Sequence, residues 1–133
     1  MGTLMGACLM VKKQALTQVG RLDEGFCHYG EDVDLCWRLQ RAGWKLFLAP
    51  WLEMTHYGAA SSQRMRRSAW LNYHRSKCRL FRKHLGHPAA VAAKLLLTTE
   101  ALGKGVLSLA RPSSSGRRKV GDCAALLRKI GGY

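Results

Sequence analysis

Acidic side chains almost vanish halfway along this chain. Residues 1–62 hold six of them (Asp23, Glu24, Glu31, Asp32, Asp34 and Glu53) against six basic ones, whereas residues 63–133 hold only Glu100 and Asp122 against sixteen Lys and Arg. The whole formal charge of +14 therefore belongs to the second half. A segment so poor in acids cannot neutralise itself by internal ion pairs, so its surface is expected to face an anion: nucleic acid, a membrane surface or a phosphorylated substrate. The neutral half is where a site with its own carboxylates belongs. At 47% hydrophobic and 23% charged residues the composition is globular, and 133 residues suffice for one packed domain but not for a two-domain enzyme or a complete α/β barrel.

The five cysteines are scattered without a Cys-x-x-Cys pair, which argues against a disulfide framework or zinc site and fits a reducing compartment. Met1 to Val11 lacks the length, basic flank and cleavage site of a signal peptide. The apolar stretch Ala89 to Ala110 is interrupted by Lys94, Glu100 and Lys104, a poor pattern for spanning a bilayer but compatible with lying on one.

Three segments are expected: 1–62, 63–110 with a basic and then an apolar helix, and 111–133 with a linker and a short amphipathic tail. Within the first, Leu4 to Val11 reads as a buried strand, Lys12 to Val19 as a helix ended by Gly20, and Arg21 to Gly30 as an ordered loop. Glu31 to Ala42 is the clearest helix, with acids in its first turn, Arg38 and Arg41 in its last, and Gly43 at the left-handed cap position. Trp44 to Ala49 and Trp51 to His56 follow as extended segments divided by Pro50, and Gly58 to Ser62 as a loop. Gln63 to Leu85 is a long basic helix broken at Gly86-His87-Pro88, Ala89 to Ala110 a second helix, and Arg118 to Ile130 a final amphipathic one.

Tyr29-Gly30-Glu31-Asp32-Val33-Asp34 places adjacent carboxylates at a helix N-terminus directly after a glycine. Peptide dipoles and N–H groups there hold a carboxylate ionised, which suits a general base, and equally suits an ordinary capping acid. His56, at the end of an extended segment, reads either as a divalent-metal ligand or as a plain surface histidine. Arg64, Arg75, Arg79 and Arg82 fall within a sector of about 60° on the basic helix. Their guanidinium forks match phosphate or lipid head groups, and the same pattern is also that of a solvated helix face.

Several segments, taken in order, resemble one family. Gly6-Ala7-Cys8-Leu9-Met10-Val11-Lys12-Lys13, Val19-Gly20-Arg21-Leu22-Asp23-Glu24-Gly25-Phe26, Tyr29-Gly30-Glu31-Asp32-Val33-Asp34-Leu35-Cys36-Trp37-Arg38-Leu39, Ala42-Gly43-Trp44 and His56-Tyr57-Gly58 together resemble the C-terminal half of a family 2 glycosyltransferase catalytic domain, in its bacterial rhamnosyltransferase-like branch. The likeness runs from residue 4 to about residue 87. It departs locally at Arg21, where a glycine is common, and at Leu22, where a phenylalanine is.

The resemblance implies an α/β class, the C-terminal part of a GT-A fold, followed by basic and amphipathic helices. It implies an inverting sugar transfer from a nucleotide-sugar donor to a cell-envelope polysaccharide or lipid-linked acceptor. Asp32 would be the general base, Glu31 would help position the acceptor, and Gly6, Ala7 and Trp37 would contact substrate. A divalent metal, Mn²⁺ or Mg²⁺, would sit on the diphosphate with His56 in its shell. Arg64, Arg75, Arg79 and Arg82 would meet an anionic lipid or phosphate, placing the protein in the cytoplasm on the inner face of the bacterial plasma membrane.

The sequence carries no Asp-x-Asp motif on a donor-side strand, since Asp32-Val33-Asp34 belongs to a helix. The chain is therefore expected to be the acceptor-side half of an enzyme, inactive alone, with an exposed strand edge and apolar surface that favour association. Two alternatives without catalysis compete: a basic nucleic-acid-binding module, which leaves the neutral half unexplained, and a membrane-surface scaffold.

Overall fold

The computed structural model describes residues 2–26, 29–56, 66–109, 121–126 and 128. Among these residues the chain forms helices α1 (Lys13–Val19), α2 (Glu31–Arg41), α3 (Arg66–Leu85) and α4 (His87–Leu109), with a further helical stretch over residues 121–126. It divides into two compact units, Met1–Arg64 and Met65–Tyr133.

In the first unit α1 and α2 pack through Ala15, Leu35 and Leu39, with Val11, Leu16, Val19, Trp44 and Leu46 closing around them. The end of α2 shows why the chain stops there. Gly43 takes φ +87°, a conformation that costs a residue with a Cβ. Its N–H donates to the Gln40 carbonyl at 3.0 Å while the Trp44 N–H donates to the Leu39 carbonyl at 2.9 Å, so two carbonyls left over by the helix are satisfied. The same turn delivers the Trp44 ring onto the core, and its indole N–H reaches the Gln18 side chain at 2.9 Å.

A buried ion pair fixes α1 against α2. Asp34 is 0% exposed, and its Oδ2 accepts from Arg38 Nε at 2.8 Å. The other guanidinium nitrogens donate to three successive carbonyls at the end of α1: Val19 at 2.6 Å, Gly20 at 3.1 Å and Arg21 at 2.8 Å. Arg38 thus closes the α1 terminus and neutralises Asp34 with one planar fork.

The expected strands are not formed. Among the described residues Leu4 to Val11, Trp44 to Ala49 and Trp51 to His56 carry neither helix nor strand. A strand needs a neighbour about 4.8 Å away to satisfy its backbone. Here parts of the first two segments instead line an open apolar cleft of about 470 Å³ floored by Ala15, Leu35 and Leu39. Met10, in the segment read as a buried strand, is fully exposed, and Phe47, Leu48, Trp51 and Leu52 of the two extended segments are each more than two-thirds exposed. The regular structure among the described residues is thus helical only, and the α/β class expected from the sequence is not confirmed by them.

In the second unit α3 and α4 fold back on each other. Gly86, at φ +88°, is the whole break between them, because Pro88 sits in the first turn of α4, where a missing N–H removes no helical bond. The helix therefore begins at His87, two residues before the expected Ala89. Its core joins Leu71 and Cys78 of α3, Leu97 and Ala101 of α4, and Cys123 and Leu126 of the stretch 121–126. That last stretch falls inside the tail helix expected over 118–130; the linker expected at 111–116 and the loop at 58–62 lie outside the described residues.

Arg38 and Asp34 generate a stability prediction. Arg38→Ala takes the guanidinium from a fully buried carboxylate and three carbonyls and is expected to cost about 3 kcal/mol in urea unfolding, and Arg38→Lys recovers little because one ammonium cannot reach four oxygens. A cost within about 0.5 kcal/mol for either variant would show that the pair is a surface ornament.

His74 generates a second prediction. It is 7% exposed, its ring lies 4.6 Å from that of Trp70 and 5.4 Å from that of Tyr73, and its Nδ1 has no hydrogen-bond partner among the described residues. Burial first, and Lys77 next, hold its pKa below the ordinary 6.5, with Glu100 opposing and Lys104 adding to the effect. The unfolded chain then takes up the proton before the folded one, so this contribution to stability is complete above the ordinary value and is lost as pH falls below it. Thermal unfolding from about pH 7 to about pH 5 is expected to show a falling midpoint that His74→Phe flattens. An equal slope in both proteins would contradict it.

Candidate functional site

The N-terminus of α2 is held in place by the chain that precedes α1. Gly30 at the N-cap supplies no side chain, so the first-turn acids are free to serve other groups. Asp32 accepts from the Gly6 N–H through Oδ2 at 2.8 Å and from the Val33 N–H through Oδ1 at 2.8 Å. Both carboxylate oxygens are thereby aimed. A Cβ built on Gly6 would stand 3.2 Å from both Asp32 Cβ and Oδ2, so the glycine is what lets the backbone come this close. Two further contacts tie the same segment across α2: the Cys36 sulfur lies 3.5 Å from the Leu4 nitrogen, and the Gln40 side-chain amide donates to the Gly2 carbonyl.

Glu31 stands beside Asp32, partly buried, with an Oε2 atom shielded from solvent and without a hydrogen-bond partner among the described residues. Asp34 is different. At 100° per residue it lies about 200° round the helix from Asp32, inside the fold against Arg38. Asp32-Val33-Asp34 therefore cannot offer two carboxylates to one ion.

The remaining candidates separate. Ala7 is exposed in the turn that follows Gly6, next to the Asp32 contact. Trp37 lies about 140° round α2 from Asp32, half-buried, with the Arg41 guanidinium 5.9 Å over its ring. Its place is against Arg41, not beside the carboxylates. His56 is exposed, and among the described residues no three His, Cys, Asp or Glu side chains converge as metal ligands. Arg75, Arg79 and Arg82 are exposed on α3; Arg64 lies outside the described residues.

The sequence reading missed Arg38, Cys36 and Gln40 as the residues that position the site. The Asp34–Arg38 spacing of four was visible as a helical ion pair, but its reach to three carbonyls of another helix was not.

A weakened clamp on Asp32 is directly measurable. Gly6→Ala is expected to push the segment from α2 and speed amide hydrogen exchange at residue 6 and Val33 by about fivefold, the loss of about 1 kcal/mol of charge-assisted bonding at a solvent-accessible place. Unchanged exchange at both amides would mean that the carboxylate does not hold the segment.

Residues 1–112 match the family model described as glycosyl transferase family group 2. The chain is 43% identical over 75 residues to the N-acetylglucosaminyl-diphospho-decaprenol L-rhamnosyltransferase of Mycobacterium tuberculosis, a stretch covering 56% of this chain and 24% of that protein. It is 36% identical over 52 residues to rhamnosyltransferase WbbL of Escherichia coli, covering 39% of this chain and 20% of the relative. With the pre-mycofactocin glycosyltransferase of M. tuberculosis it shares 44% identity over 50 residues, 38% of this chain and 10% of that protein. The matched stretch thus spans about a quarter or less of the length of these relatives. No solved structure matches the chain.

Proposed function

The chain belongs to the glycosyl transferase group 2 family, and from that premise we propose that it forms the acceptor side of an inverting transferase site in which Asp32 is the general base. The observation that carries this reading is the double clamp on the Asp32 carboxylate, from the Gly6 and Val33 N–H groups. A base must be ionised, aimed and within reach of the hydroxyl it serves. The two N–H donors fix the plane of the carboxyl group.

In the proposed reaction an acceptor hydroxyl oxygen attacks the anomeric carbon of a nucleotide-sugar. Its proton passes to Asp32 as the new C–O bond forms, the bond to the diphosphate breaks, and nucleoside diphosphate leaves with the electron pair. Attack from the side opposite the leaving group inverts the anomeric centre. Glu31, one residue away and partly buried, is assigned to positioning the acceptor. The sugar is placed next to Gly6 and Ala7, the small residues beside the carboxylate.

The acceptor we propose is a cell-envelope polysaccharide or a lipid-linked precursor, and the setting is the cytoplasmic side of the bacterial plasma membrane. The name of one matched relative, a rhamnosyltransferase named for an N-acetylglucosaminyl-diphospho-decaprenol, supports a lipid-linked acceptor. The described residues do not make a divalent-ion site: His56 is a single exposed imidazole and Asp34 is committed to Arg38. The matched stretches span about a quarter or less of the relatives' length, and the 133-residue chain by itself is expected not to turn over.

In a protein that carries these residues together with a donor-binding half, Asp32→Asn is expected to lower kcat by about 10³-fold with little change in nucleotide-sugar affinity, read as nucleoside diphosphate release. Glu31→Gln should raise the acceptor KM more than it lowers kcat. Undiminished turnover by the Asp32 variant would remove it as the base.

A further inference from the structure

Helix α4 is packed on one side and apolar on the other. Ala90, Leu97 and Ala101 face the core of the second unit. On the opposite side Val91, Leu95, Leu102, Val106, Leu96 and Leu107 span an arc of about 160° at helical spacing, all of them exposed and the last five more than half so. Lys94, Glu100 and Lys104 all fall outside that arc, and Thr99 is the one polar side chain of α4 within it. A helix that is apolar all round is normally covered on all sides. No helix among the described residues is long and apolar enough to cross a membrane.

We propose that this face of α4 inserts into the surface of an anionic lipid bilayer, with the basic side chains of the same unit on the head groups. Charge selects the occupant. Sixteen basic and two acidic residues lie in 63–133, and Arg75, Arg79, Arg82 and Lys83 are exposed on α3, the helix against which α4 packs. A second copy would bring +14 against +14, whereas an acidic bilayer supplies an apolar phase and negative charge together. Lys104 and Lys94, beyond the edges of the arc, carry long aliphatic stems that can reach the interface while α4 lies in its plane. This surface is independent of the role of Asp32, and its test needs no sugar transfer.

The test is co-sedimentation of the full chain with phosphatidylcholine vesicles, with and without phosphatidylglycerol. Binding is expected to the anionic vesicles, to weaken with salt, and to fall about tenfold or more in Leu95→Ser/Leu102→Ser/Val106→Ser at unchanged helix content. In a second variant, Leu102→Trp, the added fluorescence should shift to the blue and be quenched by brominated lipid. Vesicle binding that the serine variant leaves intact, with a Leu102→Trp signal unmoved by lipid, would overturn the proposal. So would no affinity for anionic vesicles alongside tight duplex DNA binding, or a solution dimer that the serine variant dissolves without altering lipid binding.

Discussion

The arginine at position 38 holds the first unit together. Its guanidinium meets a fully buried aspartate and three carbonyls at the end of the preceding helix, so the two short helices have one relative placement. A buried charge pair of this kind adds little net stability over an apolar replacement, but removing one partner is costly. Here it has a geometric result. Because Asp34 is committed inward, Asp32, about 200° away on the same helix, is left on the other side, where the backbone of Gly6 closes on it. Structural acid and candidate base are separated by helical rotation alone.

Much of the second unit follows from charge. With so few acids after residue 62, α3 is strongly basic, and its Arg75, Arg79 and Arg82 stay at the surface. The adjoining helix spends its small and apolar residues twice, once on the core and once on the outside. Cationic and apolar surface in one unit is a combination that water alone does not favour.

Local signals were legible in the sequence. Gly43 ended α2 because a left-handed residue there lets Trp44 bond back to Leu39, and acids at residues 31, 32 and 34 marked its start. Asp32 was singled out through order and spacing of motifs, and the chain's membership in the glycosyl transferase group 2 family stands on the match over residues 1–112. The strands were not legible in the same sense. Apolar alternation identifies an extended segment, but a ladder exists only where a second segment comes alongside, and among the described residues Leu4 to Val11 and Trp44 to Ala49 border a cleft instead. Trp37, which the resemblance implies as a substrate contact, stands about 140° round the helix from Asp32. The reach of Arg38 to Val19, Gly20 and Arg21 is a tertiary fact that no spacing rule contains.

The account rests most heavily on Asp32 as the group that takes the acceptor proton. Chemical rescue asks this directly: Asp32→Ala, in a protein competent to bind donor, is assayed for sugar transfer with increasing formate. If the carboxylate acts as the base, the variant is nearly inactive and formate restores transfer in proportion to its concentration, with the product still inverted at the anomeric carbon. Wild-type turnover by the variant without formate would contradict it.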